Sequence, residues 1–327
     1  LSTQTSLTIW TNTKYPEDID RMLAERIAPH RLIHAAQLNA LNTATSPTDA
    51  NLEQADVAFG QPNVEQAMSL PNLKWIHLTT AGYTAYDRDD LKASLRARGA
   101  RLTNSSAVYD DPCAQHILAM MMAFARRLPE SMRAQFDDRA WHWWQRRRES
   151  FLLNGQTAMI FGFGAIAERL CELLAPFNMK LIGVRRAIKG DEAIEVITEG
   201  QVAEFLPLAD HVINVLPGND STTRYFDAEK FRRMRAGARF YNVGRGATVD
   251  QDALIAALQS GQLAEAYLDV TTPEPLPPDH PLWRAPNLYI TPHSAGGHDQ
   301  ELRDLVERFL ENLQRFLDGE ALRNQIV

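Results

Sequence analysis

Thr157-Ala158-Met159-Ile160-Phe161 runs without interruption into Gly162-Phe163-Gly164-Ala165-Ile166-Ala167. The first five residues read as a buried strand, and the GxGxxA stretch then opens a helix that the pattern carries to about Leu174. Each small residue has a physical task. Gly162 permits the tight turn, Gly164 lets the backbone approach a pyrophosphate, and Ala167 allows close packing of helix on strand. The helix N-terminus adds N–H groups and positive dipole. A strand before the turn and a helix after it point to a dinucleotide site built on the backbone of Gly162, Phe163, Gly164, Ala165 and Ile166; the alternative is a glycine turn that serves packing alone.

The next strand, Lys180-Leu181-Ile182-Gly183-Val184, ends at Arg185 and Arg186, 21 and 22 residues after Gly164. A site selective for NAD usually has a carboxylate hereabouts for the ribose hydroxyls. Two guanidiniums instead suit a 2′-phosphate, because arginine pairs with phosphate through planar, bidentate hydrogen bonds. NADP(H) is therefore the expected cofactor, with NAD(H) the alternative if both arginines are merely solvated. The segment 188–200 carries Asp191, Glu192 and Glu195. One of these folding back toward the ribose would weaken the NADP(H) reading.

Working outward, short apolar runs alternate with helical patterns from Leu7 to Asn104: strands at Leu7–Trp10, Ala55–Phe59 and Lys74–Leu78, and helices at Glu17–Ile27 and Asp89–Arg98. Such alternation implies an α/β protein with parallel sheets. A long helix is expected from about Asp110 to Leu128, capped by Asp110 or Asp111, with Pro112 in its first turn and Pro129 ending or kinking it. Residues 130–150 combine Trp141, His142, Trp143 and Trp144 with Arg146, Arg147 and Arg148. They read as a surface helix whose aromatics pack on this subunit or its twin, the sharper alternative being a Trp that reaches a neighbouring subunit's active site. A second βαβ series runs from Thr157 to about Thr291, and one amphipathic helix, about Gln300 to Leu317, follows Gly296-Gly297.

Composition bounds the rest. A length of 327 residues suits two domains, and 45% hydrophobic with 23% charged residues is ordinary for a globular chain. With 34 Lys and Arg against 41 Asp and Glu, the formal net charge is −7. That balance provides no strong positive field for nucleic acid or anionic membranes, so the expected partner is a small molecule. Cys113 and Cys171 are the only cysteines, which argues against a disulfide framework or a cysteine-based metal site and fits a reducing compartment. The longest apolar run, Ile117–Ala125, has nine residues, far short of the ~20 that a spanning helix needs. The first residues carry no basic-then-apolar pattern, and the cytoplasm is the expected location.

Three further motifs follow in order: Asn242-Val243-Gly244-Arg245-Gly246; Leu268-Asp269-Val270 leading to Pro273-Glu274-Pro275; and Thr291-Pro292-His293-Ser294-Ala295-Gly296. With the glycine turn, and at these separations, they closely resemble the D-isomer-specific 2-hydroxyacid dehydrogenases, which include glyoxylate/hydroxypyruvate reductases and phosphoglycerate dehydrogenases. The likeness extends over nearly the whole chain, including 73–82, 105–129 and 277–283. It implies two doubly wound parallel-sheet domains separated by a cleft, with a Rossmann-type dinucleotide-binding domain, 108–297, inserted into a flavodoxin-like substrate-binding domain, 1–107 and 298–327. Gly296 and Gly297 would lend hinge freedom at the return crossing, and a homodimer is implied as well.

By the same resemblance the catalytic residues fall on Arg245, Glu274 and His293. Reduction of a 2-keto acid builds negative charge on the carbonyl oxygen, so a donor must stand there. Protonated His293 would supply that proton, Glu274 would favour the charged ring and fix its tautomer, and Arg245 would grip the substrate carboxylate. Backbone N–H groups of Ala81, Gly82 and Tyr83 would share that carboxylate. Asp269 would bond the nicotinamide carboxamide, while Val215, Leu216, Pro217, Val243 and Gly244 would line the cofactor. Tyr83 departs from the small aliphatic residue common in the family; it and Tyr86 either narrow the pocket or simply pack. The expected activity is NADPH-dependent reduction of a small 2-keto acid such as glyoxylate or hydroxypyruvate to a D-2-hydroxy acid. Formate dehydrogenases pair the histidine with glutamine, against which Glu274 stands. A phosphite dehydrogenase remains open, as does a dinucleotide-sensing scaffold of the C-terminal binding protein type.

Overall fold

The structure, a computed structural model, describes residues 6–39 and 46–327. It divides into two compact units, Leu1–Tyr109 with His298–Val327, and Asp110–Gly297. In the first unit β1 (Thr8–Thr13), β2 (Arg31–Asn39), β3 (Val57–Phe59), β4 (Trp75–His77) and β5 (Arg101–Thr103) form one parallel sheet in the order β2-β1-β3-β4-β5. The helix Glu301–Leu317 returns to this unit because its Leu305, Val306, Phe309 and Leu313 recur at helical spacing and are all buried. Phe309 stacks on Phe59 with ring centroids 4.2 Å apart and on Trp75 at 5.2 Å. The chain then ends against β5, where Leu102 N–H donates to the Val327 carbonyl at 3.2 Å.

The second unit holds β6 (Thr157–Phe161), β7 (Lys180–Val184), β8 (Glu195–Ile197), β9 (His211–Asn214), β10 (Ala238–Asn242), β11 (Leu263–Leu268) and β12 (Leu288–Ile290). Their order is β12-β11-β10-β9-β6-β7-β8, all parallel. Counted within the unit this is 3-2-1-4-5-6 with one added edge strand, and the order reverses between β6 and β9, where a doubly wound sheet opens its ligand crevice. Residues 157–161 and 180–184 form strands as the sequence indicates. The buried core mixes β-branched and aromatic side chains, among them Ile182, Val212, Phe226 and Phe240.

Two expectations need correction. The long helix spans Ser106–Ala125, so Asp110, Asp111 and Pro112 lie inside it instead of capping it. Asn104 takes the early turn instead: its Oδ1 accepts from Ser106 N–H at 3.3 Å and from the Ser106 hydroxyl at 2.9 Å. Pro129 neither ends nor kinks that helix. Arg127, in the left-handed region at φ 54°, follows the helix end, and Pro129 lies in the first turn of the next helix, Leu128–Phe136, where its missing N–H is not needed. Residues 130–150 thus contribute to two short helices, the second being Trp143–Glu149, and Trp141 is 89% exposed. Among the described residues no helix is long and apolar enough to cross a membrane.

Phe309 is fully buried between two aromatic rings. Phe309→Ala is expected to cost about 3–5 kcal/mol of the first unit's stability, read as a lower urea midpoint; an unmoved midpoint would contradict the docking role of the last helix.

Candidate active site

The carboxyl ends of the strands in the second unit are stitched together in sequence. Gly162 and Phe163 N–H both donate to the Val184 carbonyl at 3.1 and 3.2 Å, and Val215 N–H donates to Phe161 O at 2.9 Å. Beyond them Val243 N–H reaches Asn214 O at 3.1 Å, Asp269 N–H reaches Asn242 O at 2.9 Å, and Thr291 N–H reaches Leu268 O at 3.0 Å. The glycine turn and the loops that begin at Val215, Val243, Asp269 and Thr291 therefore leave the sheet along one edge.

At the glycine turn the residue types have visible reasons. Gly162 has φ +91°, and a Cβ there would stand 2.8 Å from Val215 O, so conformation and space both demand glycine. A Cβ on Gly164 would meet no atom within 4 Å, and Gly164 caps the helix Ala165–Leu174 without a side-chain hydrogen bond. Open space over an uncapped helix start, with the Ala165 and Ile166 amides in its first turn, fits a dinucleotide pyrophosphate. Phe163 contributes backbone there, for its ring is buried against Gly183, where a Cβ would come within 2.6 Å of it.

Beside the turn, Arg185 Nη1 donates to Glu192 Oε1 at 3.1 Å, whereas Arg186 is exposed. Glu192 also accepts from Lys189 and Gly190 N–H at 2.8 and 2.7 Å. Burial opposes its charged form, but the Lys189 and Gly190 amides and Arg185 hold the carboxyl down at about 2. Of the carboxylates in 188–200, Glu192 is the one bound to Arg185.

Arg245 follows β10 on a loop shaped by asparagines. Asn242 Oδ1 accepts from Gly244 N–H and from Asn214 Nδ2, both at 3.0 Å, and Asn242 Nδ2 donates to Arg245 O at 3.2 Å. A Cβ on Gly244 would lie 2.5 Å from Leu216 O, and one on Gly246 2.0 Å from Thr271 O, so only glycines let these strand ends meet. The half-buried guanidinium donates to Gly244 O at 2.6 Å and, among the described residues, has no carboxylate within 4 Å. Burial lowers its pKa, opposed by the Glu274 and Cys113 charges.

His293 Nδ1 lies 2.8 Å from Glu274 Oε2, and Glu274 Oε1 accepts from Thr271 N–H at 2.9 Å. Burial pushes the Glu274 carboxyl up, but the His293 and Thr271 hydrogen bonds and the Arg245 charge outweigh it, leaving a net lowering. His293 itself sits in the left-handed region at φ 52°. Asp269 holds that strained turn: its carbonyl accepts His293 N–H at 2.8 Å, and its buried carboxylate accepts Ser294 N–H at 2.9 Å, Ala295 N–H at 3.0 Å and the Thr291 hydroxyl at 2.5 Å. Protein donors thus occupy much of a carboxylate that the resemblance assigns to a nicotinamide carboxamide. The scaffolding roles of Asn214, Asn242 and Asp269 escape sequence reading, because each partner comes from a different strand end.

In the first unit, the Ala81 and Gly82 carbonyls accept from Asn104 Nδ2 and the Thr80 hydroxyl, both at 2.7 Å. The N–H groups of Ala81, Gly82 and Tyr83 have no acceptor among the described residues. Tyr86 packs, fully buried, with its hydroxyl donating to Pro62 O at 2.7 Å, and Tyr83 packs partly buried on the same core.

Residues 118–295, more than half of the chain, match the family model for the NAD binding domain of D-isomer specific 2-hydroxyacid dehydrogenases. A glyoxylate reductase of Korarchaeum cryptofilum is 32% identical over 245 residues, 74% of this chain and 73% of that one. A glyoxylate reductase/hydroxypyruvate reductase of Mus musculus is 30% identical over 263 residues, 78% and 77% of the two chains. Among solved structures, a D-isomer specific 2-hydroxyacid dehydrogenase from Xanthobacter autotrophicus Py2, in complex with NADPH and MES, superposes with TM-score 0.81 at 27% identity, covering 99% of this chain and 98% of that one. The chain belongs to the D-isomer specific 2-hydroxyacid dehydrogenase family, and its activity is that of an NAD(P)-dependent oxidoreductase.

Proposed function

We propose that this enzyme reduces a small 2-keto acid, glyoxylate or hydroxypyruvate, with NADP(H) as the preferred cofactor. One observation carries the reading. Among the described residues the half-buried Arg245 guanidinium has no carboxylate within 4 Å, and it lies on the same sheet edge as the His293–Glu274 pair. A guanidinium taken out of water with a carbonyl acceptor but no carboxylate in contact is costly, which favours an anion arriving from outside.

In this reading Arg245 receives the substrate carboxylate through charge-assisted hydrogen bonds and fixes the keto carbon. The unengaged N–H groups of Ala81, Gly82 and Tyr83 suit the same kind of anion. The nicotinamide, when bound, supplies the hydride. Nδ1 of His293 is committed to Glu274, so Nε2 is the atom that hands a proton to the developing alkoxide, and Glu274 stabilises the ring while it carries that proton. Asp269 keeps the histidine turn in place. When bound, the cofactor would have its pyrophosphate held by the helix start at Gly164, its ribose lined by Val215, Leu216, Pro217, Val243 and Gly244, and its 2′-phosphate met by Arg185 and Arg186. The exposed Trp141, Trp143 and Trp144 support a homodimer through this arm, and the cytoplasm is the proposed location.

The direct test is absorbance at 340 nm with a keto-acid panel and both cofactors. Turnover with NADPH is expected; a tenfold or larger preference for NADH defeats the cofactor assignment. No turnover alongside tight cofactor binding favours a dinucleotide-sensing scaffold. Arg245→Ala and His293→Ala should each lower kcat/KM by at least ~100-fold, and near-parental activity in either removes that residue from the mechanism.

A further variant tests the pair separately. Glu274→Gln removes the carboxylate that orients the ring through Nδ1 and should lower kcat for keto-acid reduction by about tenfold or more, with KM for the keto acid little changed. Near-parental kcat would separate Glu274 from proton delivery.

A further inference from the structure

The Arg185–Glu192 pair lies just beyond the second strand of the unit, the place where Rossmann-type sheets commonly discriminate NAD from NADP. Arg185 directly follows β7, its N–H bonded to Ile197 O at 3.1 Å, and the preceding Val184 carbonyl holds the Gly162-Phe163 turn. Glu192 is built in: its side chain is 6% exposed, and both oxygens accept from the Lys189-Gly190 backbone, where Gly190 has φ +91°. Both side chains line a cavity of about 800 Å³ whose wall also carries Glu168, Glu172, Asp191, Glu195 and Lys189. Negative groups outnumber positive ones there. Arg186, by contrast, is exposed.

We propose that Glu192 is a selectivity residue acting through Arg185: its fixed carboxylate offsets part of the guanidinium charge, so it limits the preference for a 2′-phosphorylated cofactor and preserves use of NAD(H). The inference rests on the reading that this arginine pair receives the 2′-phosphate. A phosphate near −2 engaging Arg185 feels attraction from the guanidinium and repulsion from the carboxylate bound to it, whereas a ribose hydroxyl feels little of either. The same amide bonds keep Glu192 ionised across the working pH range.

The test uses the full chain and calorimetric titration with 2′,5′-ADP and 5′-AMP, alongside kinetics with NADPH and NADH. Glu192→Gln removes the charge and keeps the shape. It should tighten 2′,5′-ADP binding by about fivefold or more, leave 5′-AMP within about twofold, and raise the NADPH/NADH ratio of kcat/KM through KM with kcat unchanged. Glu192→Asp keeps the charge and should stay near the parental selectivity. Weaker 2′,5′-ADP binding in Glu192→Gln overturns the proposal by making the carboxylate a support for Arg185, and an unchanged ratio overturns it outright. Arg186→Ala and Arg185→Ala test the underlying reading separately. If both leave 2′,5′-ADP affinity unaltered, the arginine reading falls and the inference with it; if either loses affinity, the Glu192→Gln result judges the inference alone.

Discussion

Parallel pairing of β6 with β7 on one side and β9 on the other is the constraint from which the site follows. Since all seven strands run the same way, every loop leaving a strand end emerges along one edge, and the reversal between β6 and β9 opens the edge at the glycine turn. The turn is then pressed against the Val215 carbonyl, where no side chain fits at Gly162. Further along, Asn214, Asn242 and Asp269 tie each loop to the next. Arg245 and His293, 48 residues apart in the chain, share an edge through this pairing.

Two buried charge arrangements show how differently the fold treats ions. Glu265 on β11 is 1% exposed, and its carboxylate is met by Arg127 Nη1 and Arg239 Nε, each at 2.8 Å. Burial raises its pKa, and the two guanidiniums counteract that. Breaking such a pair typically costs about 3–5 kcal/mol because one charge is left uncompensated. Here the pair ties the start of the Leu128–Phe136 helix to β10 and β11, so its role is structural. Arg245 is desolvated too, yet among the described residues it has no carboxylate within 4 Å. The Glu265 carboxylate and its two guanidiniums hold the scaffold, whereas Arg245 contacts a backbone carbonyl, that of Gly244.

Much of this is legible in the chain itself. The strand Thr157–Phe161 and the helix opening at Ala165 coincide with the reading from apolar runs, because a strand buried in a parallel sheet needs unbroken apolar residues and the turn needs glycine. The helix expected at Asp110 starts at Ser106 instead, since Asn104 provides a turn whose strength depends on the Ser106 amide and hydroxyl together. Pro112 looked like a start signal and is accommodated inside the helix. Arg127 in the left-handed region separates the two helices, and nothing in an Arg-Arg-Leu-Pro run announces that.

The sequence by itself determined the alternation of strands and helices, the glycine turn between strand and helix, and the order of the motifs that carry Arg245, Glu274 and His293, because periodicity, glycine conformational freedom and ordered motifs are local properties of the chain. Only the tertiary structure decided that Glu192 pairs with Arg185, that Asp269 braces the strained turn of His293, and that Arg245 bonds the Gly244 carbonyl. Those depend on which strand ends meet across the sheet. Burial and pairing are properties of the assembled edge, and no single segment contains them.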